Sequence, residues 1–424
     1  MNPIFLTKLL ALRHNQWLSP EKLVEIQTHK LQKIINYSYK NVKYYRQLFD
    51  SVGIKPRDIQ NASDLMLIPI SSRKTFQKQS PADMISKLIS MTKCKKVTTA
   101  GSSGKPLTVF LQQEDFNRFG LTWARASLAN GQRLFDKPVY IKFQPPPRFW
   151  FERLGIWKKN IISLMDDIDR KIKQLVQLRP QIIRGNAFEL ATLAHYIKKH
   201  DIKGISPGRI FSMGSLLDAK TRQLLEEVFH AEVFDFYAAT EVGCIGWECP
   251  CHQGYHLNSD AVIVEFIRDN KIVAPGEMGR IICTSLDNYT MPFIRYDLGD
   301  IGIPDEKSCN CGRSLPMMKS ILGRADDFFV TPAGKIISPS VIVNIVKNIN
   351  GIQQFRLIQE RTDLINALLV PSENYKEKNS ADLRKTIKTI MGNSVTVKIE
   401  LKGDIPQEEN RKIRSLISNI KVEF

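Results

Sequence analysis

The chain has 424 residues, 43% of them hydrophobic, which is enough to bury a sizeable core and to form more than one domain. Its formal charge of +18 and pI near 9.5 would suit a nucleic-acid binder. Lys and Arg are scattered among acids, however, instead of gathering in a stripe, so the charge reads as a solvated basic surface with a mild preference for anions.

No stretch approaches the roughly eighteen apolar residues of a membrane span, and Lys8 interrupts the run from Phe5 to Leu12, so a cytoplasmic protein is expected. Seven cysteines, six of them between Cys244 and Cys311, read as reduced thiols with a candidate metal site, not as a disulfide framework.

In chain order, Ser19-Pro20 opens helices whose apolar positions Leu23, Ile26, Leu31, Ile34, Ile35 and Tyr39 recur at helical spacing up to about Phe49. Between Lys96 and Phe110 a Gly/Ser loop is flanked by β-type residues. Short apolar runs then alternate with helices over Asp167 to Leu178, Ala187 to His200 and Asp218 to Phe229, the grammar of an α/β domain with a substantial sheet. After Asp326 a helix from Ser338, strands over Gln353 to Gln359 and Leu364 to Val370, a helix over Ser380 to Met391 and a strand over Val395 to Leu401 spell αββαβ. That order predicts a small α+β domain, with boundaries at 1–324 for the large domain and 325–424 for the small one.

The loop Ala100-Gly101-Ser102-Ser103-Gly104-Lys105-Pro106 combines small residues, hydroxyls and a cation. Backbone N–H groups at glycines approach phosphate oxygens closely, hydroxyls donate to them and Lys105 adds charge. It is not a Walker A loop: Thr99 stands in place of the first glycine and Pro106 in place of the magnesium-ligating hydroxyl. Cys249-Pro250-Cys251-His252, His256 and Cys309-Asn310-Cys311 form two sets of soft ligands sixty residues apart, able to build the four-coordinate cage that zinc prefers. The stretches around Phe143 to Phe151 and Trp157 mix aromatics with cations. They read as helix packing, with a membrane-surface role or a pocket entrance as the alternatives.

Three further motifs follow the loop: Tyr237-Ala238-Ala239-Thr240-Glu241, Arg295-Tyr296-Asp297-Leu298-Gly299-Asp300 and Gly323-Arg324-Ala325-Asp326-Asp327. In this order they resemble the adenylate-forming (ANL) superfamily, in its phenylacetate-CoA ligase and CapK-like branch, and the NVKYYRQLF and MPFIRYDLGD runs extend the likeness over nearly the whole chain. The resemblance implies a large multi-sheet α/β domain with a mobile small α+β domain. It implies ATP-dependent activation of an aryl or acyl carboxylic acid through an acyl-adenylate, followed by transfer to coenzyme A or a carrier-protein thiol.

Residue by residue, the resemblance makes Gly101, Ser102, Ser103, Gly104 and Lys105 a phosphate loop and Tyr237 a flat surface for adenine, with Asp235 nearby in the nucleotide set. Thr240 would bond the α-phosphate, Glu241 would hold Mg2+, Asp300 would accept the ribose hydroxyls and Arg324 would contact phosphate or ribose just before a hinge at Asp326. Lys412 is the best match to the family's C-terminal lysine, although Arg411 replaces the usual glycine. Cys249, His256, Cys309 and Cys311 are the expected zinc ligands, with Cys251 and His252 as replacements. Gly185-Asn186 resembles a segment that walls the acid pocket. Two alternatives stay open: an adenylyltransferase that passes AMP to a non-thiol acceptor, and a zinc-stabilised basic scaffold without turnover.

Overall fold

A computed structural model of the protein describes residues 3–99, 106–143, 150–347, 349–405 and 415–420. Its centre is a sheet of thirteen strands among these residues. One half is parallel: Asn160–Ser163, Pro138–Lys142, Ile182–Gly185, Arg209–Met213 and Glu232–Ala239 lie side by side in that spatial order. From Gly243–Glu248 onward the pairing is antiparallel, through Tyr255–Leu257, Met317–Arg324, Tyr296–Asp305, Gly279–Ser285 and Val262–Arg268. The change of sense falls at the turn Thr240–Val242.

The parallel strands are apolar on both faces, as strands covered by helices on each side must be. On one face Ile183, Ile210 and Val233 pack against Ile172, Leu175, Leu190, Leu193, Leu225 and Phe229 of the helices Ile168–Leu178, Ala187–Lys199 and Ala219–Phe229. On the other, Phe211, Phe234 and Phe236 meet the helix Gln113–Ala129 through Ala126 and Trp123, and Trp123 stacks on Phe236 with centroids 5.5 Å apart. The three crossover helices begin where the sequence places an oxygen-bearing cap: Asp167, Asn186 and Asp218 each accept the backbone N–H three residues on.

The N-terminal helices Pro20–Asn41 and Lys43–Ser51, as expected from their spacing, deliver Leu31, Ile34, Ile35, Tyr45 and Phe49 to the core of the antiparallel half. The C-terminal unit follows the expected order, with helices Pro339–Val346 and Glu377–Met391 and strands Ile352–Arg361, Leu364–Pro371 and Thr396–Leu401. Two features were not foreseen. A two-stranded pair, Phe329–Val330 with Ile336–Ile337, precedes the first helix, and Leu416–Ser418 adds a fourth, parallel strand beside Ile352–Arg361. No helix among the described residues is long and apolar enough to cross a membrane.

Arg125 and Asp260 form an ion pair at 2.8 Å with both side chains fully buried, and Asn258 accepts a further bond from the same guanidinium. Asp260→Asn leaves a buried guanidinium without its countercharge. We expect it to cost about 3–5 kcal/mol in urea unfolding, whereas Arg125→Met with Asp260→Leu costs less than that single change; a double variant worse than Asp260→Asn would contradict this account of the core.

Candidate functional site

The turn Thr240–Val242 faces a cavity of about 610 Å3 whose walls come from both the large sheet and the C-terminal unit. The large domain contributes Arg73, Thr99, Asp235, Tyr237, Thr240, Glu241, Asp300 and Arg324, among others, and the small one Lys347, Phe355 and Leu416. Residues from three separated motifs thus share one space.

Asp300 and Arg324 are register partners on adjacent antiparallel strands. Arg324 Nη1 donates to the Leu298 carbonyl at 2.9 Å and to Asp300 Oδ1 at 3.3 Å, while the Tyr237 hydroxyl donates to Asp300 Oδ2 at 2.8 Å. Burial and the Asp300 carboxylate push the Tyr237 phenol well above its ordinary range, so it remains a proton donor. Gly299 makes the approach feasible: its φ is +76°, and a Cβ there would meet Arg324 Nη2 at 2.9 Å.

Glu241 is 5% exposed. Its carbonyl accepts from Asn288 Nδ2 at 3.2 Å and its carboxylate from the Tyr296 hydroxyl at 3.3 Å. Burial raises its pKa, against which the fields of Arg73 and Arg324 act. A carboxylate held out of water at the edge of a cavity is a suitable oxygen ligand for a hard cation. Asp235 also lines the cavity, but Oδ2 accepts from the Tyr255 hydroxyl at 2.7 Å, and burial pushes the carboxyl up to about 7.

Residues 100–105, which include Gly101, Ser102, Ser103, Gly104 and Lys105, lie outside the described residues. Their flanks are tied together: Thr99 donates from its N–H to the Leu107 carbonyl and accepts the Leu107 N–H on Oγ1, both at 2.9 Å. Thr99 itself lines the cavity. Residues 406–414, with Lys412, are likewise outside the described residues, and the next two, Ser415 and Leu416, line the cavity.

Several residues at the site were not anticipated from sequence. Tyr296 lies inside the Arg295-to-Asp300 motif, where its hydroxyl-to-Glu241 contact had no local signal. Arg295 holds that motif in place from the left-handed region, at φ 49°, bonding Glu265 at 3.0 Å and the Ile68 carbonyl at 2.6 Å. Lys347, from the small domain, pairs with Asp218 at 2.7 Å and so bridges the two units beside the cavity. The expected pocket wall at Gly185-Asn186 continues into Ala187 and Phe188, both at the cavity, and the Ala187 N–H donates to Ser215 Oγ at 2.9 Å.

The second constellation also assembles. One ligand atom each from Cys249, His256, Cys309 and Cys311 lies within 4.8 Å of the others. Cys249 Sγ is 3.5 Å from Cys309 Sγ, and Cys311 Sγ is 3.3 Å from His256 Nε2. Burial, reinforced by Arg313, holds His256 down at about 4, so the ring is the neutral base a metal requires. Of the two replacements, Cys251 is exposed and His252 faces Glu248 and Glu232. The cluster is joined to the cavity by neighbours in sequence: Tyr255 precedes His256 and bonds the Asp235 carboxylate, while Glu248 precedes Cys249 and accepts the Asp235 N–H at 2.8 Å.

Comparison with known proteins gives a consistent picture. Residues 329–419 match the CapK C-terminal domain family. The chain is 26% identical over 330 residues to a phenylacetate-coenzyme A ligase of Thermus thermophilus, covering 74% of this chain and 73% of that protein. It is 24% identical over 427 residues to a phenylacetate-coenzyme A ligase of Escherichia coli, covering 93% and 95%. Its fold matches 2-hydroxyisobutyryl-CoA ligase in the postadenylation state in complex with 2-HIB-AMP, with a TM-score of 0.79 at 18% identity over 96% of this chain and 91% of that one. With three motifs gathered at one cavity, a CapK-type small domain and relatives of one kind over most of the chain, the protein is similar to the phenylacetate-CoA ligase and CapK-like branch of the adenylate-forming superfamily.

Proposed function

We propose that this protein is an AMP-forming acid–thiol ligase. The observation that carries the reading is the bonded group Tyr237–Asp300–Arg324 standing beside Thr240 and Glu241 in one cavity closed by the small domain. Its likeness to phenylacetate-coenzyme A ligases over nearly their whole length supports the same conclusion.

In the first half-reaction a substrate carboxylate oxygen attacks the α-phosphorus of ATP, the bond to the bridging oxygen breaks and pyrophosphate leaves with that electron pair. The carboxylate is already ionised at neutral pH, so the protein must position the reactants and neutralise charge, with no need for a base. Tyr237 offers its ring to adenine and Asp300, already oriented by two donors, accepts the ribose hydroxyls. Thr240 donates to the α-phosphate, and Arg324 balances charge beside the ribose and phosphates. Mg2+ would be held by Glu241 and would neutralise phosphate charge during the displacement. By the family resemblance, Gly101 to Lys105 would bind phosphate oxygens and Lys412 would supply charge to the α-phosphate.

In the second half-reaction a thiolate, of coenzyme A or a carrier protein, attacks the acyl carbon and AMP departs, after the small domain turns about Asp326. The Lys347–Asp218 bridge holds the domains in the arrangement described above and must open for that turn. The CapK-type match of the small domain favours one second reading, transfer of AMP to a non-thiol acceptor. AMP release that depends on coenzyme A selects the ligase.

The cysteine and histidine cluster fits Zn2+: three thiols and one neutral imidazole converge at a distance suited to a single tetrahedral ion. Such an ion would be structural. It would tie the segment after Glu241 to the segment after Asp300 and so brace Asp235 through Tyr255 and Glu248.

Two tests follow. Hydroxamate trapping across aryl and aliphatic acids should give ATP-dependent product with wild type, reduced about 100- to 1,000-fold in Glu241→Ala, as for the loss of one directed electrostatic group; product undiminished in that variant removes Glu241 from the mechanism. Elemental analysis of the purified protein should find about one zinc per chain, lost in Cys309→Ser together with several degrees of melting temperature; metal-free protein of unchanged stability would leave the cluster as plain thiols.

A further inference from the structure

Behind the cavity wall, at the carboxyl ends of the parallel strands, two cations stand without a countercharge among the described residues. Arg184, on Ile182–Gly185, is 3% exposed. Its Nη2 donates to two neutral oxygens, Ser127 Oγ at 2.7 Å and Gln132 Oε1 at 2.5 Å. Its Nε is buried and bonds nothing. The guanidinium lies between aromatic faces, 5.1 Å from the Tyr140 centroid and 4.6 Å from that of Phe211.

Lys142 ends the neighbouring strand Pro138–Lys142. Tyr140 is the register partner of Arg184, and Lys142, two residues on, projects from the same face; its Nζ is 5.9 Å from the Tyr140 centroid. Among the described residues neither cation has a carboxylate within ion-pair distance. The nearby acid, Glu152, is engaged with Lys159 at 2.8 Å. Burial, with the fields of Arg184 and Lys159 added, pulls Lys142 down to about 8, as expected of an ammonium with no anion beside it.

Desolvating a guanidinium costs several kcal/mol, and a second cation nearby raises that cost. A purely structural role would call for a carboxylate partner, and the described residues supply none. The location suits a ligand, because open α/β sheets bind ligands beyond the carboxyl ends of their parallel strands. The group does not itself line the cavity but lies one layer behind its wall: the Phe211 ring beneath Arg184 is 5.0 Å from Phe236, which lines it, and Ala187 and Phe188 of the wall follow Arg184 by three and four residues.

We propose that the acid activated here carries a second anionic group of the carboxylate class, remote from the reacting carboxylate, which docks on Arg184 and Lys142. The inference rests on the ligase reading for the reacting end and adds the substrate class. A planar carboxylate matches the open edge of the guanidinium, and Lys142 contributes a point charge. Tyr140 and Phe211 would flank the intervening carbon skeleton.

The test compares two matched pairs, phenylacetate with 4-carboxyphenylacetate and hexanoate with adipate, by calorimetric binding and by AMP release in the presence of MgATP and coenzyme A. Wild type should bind at least one diacid at least tenfold more tightly than its monoacid. Arg184→Met and Lys142→Gln should each reduce that preference at least fivefold, and Arg184→Met should melt no lower than wild type, because it removes an uncompensated charge. Equal binding of diacid and monoacid, binding of neither diacid, a preference unchanged in both variants, or a destabilised Arg184→Met whose loss Lys142→Gln does not reproduce would each overturn the proposal. The two readings fail separately: selective diacid binding without AMP release removes the ligase and leaves the anion site, whereas AMP release with monoacids as fast as with diacids removes the anion site and leaves the ligase.

Discussion

The Asp300 carboxylate is the point on which the site depends. Its two oxygens join Tyr237, from the last parallel strand, to Arg324, from the strand that leads into the small domain. One acid thereby connects the parallel half of the sheet, the antiparallel half and the domain boundary. The contact needs a glycine at 299, because a side chain there would collide with the guanidinium, and it needs Arg295 to hold the preceding turn in a left-handed conformation by bonds to Glu265 and Ile68. Residues so far apart in sequence are thus held ready before any ligand arrives, which is what an enzyme that works by positioning requires.

The metal cluster extends the same logic outward. Cys249 and His256 adjoin Glu248 and Tyr255, and those two hold Asp235 by its backbone N–H and its carboxylate respectively. An ion there would fix the hairpin that carries both, and so the cavity wall that Asp235 contributes. Arg222 adds a second support, pairing with Glu248 at 2.7 Å from the helix Ala219–Phe229. The cluster is therefore one bonded step from the cavity in each direction, although it shares no atom with it.

Much of this was legible in the sequence, for identifiable reasons. The crossover helices, expected over Asp167 to Leu178, Ala187 to His200 and Asp218 to Phe229, form within a residue of those bounds, and the structure shows why: Asp167, Asn186 and Asp218 cap them, a local interaction written in adjacent side chains. The small domain's order was readable from alternation, as in Phe355, Leu357 and Gln359 on one face. The strand Leu416–Ser418 was not, since three residues carry no period and its place beside Ile352–Arg361 is set by long-range pairing. Among site residues, Tyr237, Asp300 and Arg324 could be named because they sit in motifs. Arg73, Lys347 and Arg184 could not: nothing in their neighbouring residues distinguishes a cation in or behind a cavity wall from one on a surface, and only its place in the fold does.

The central claim is that these separated segments surround one nucleotide. Photolabelling with 2-azido-ATP in the presence of Mg2+, followed by peptide mapping, tests it most directly. The account predicts adducts concentrated on the peptides containing Tyr237 and the Leu298-to-Asp300 segment, abolished by excess ATP and strongly reduced in Asp300→Ala. Labelling confined to peptides away from this cavity, competed equally well by ATP, would contradict it.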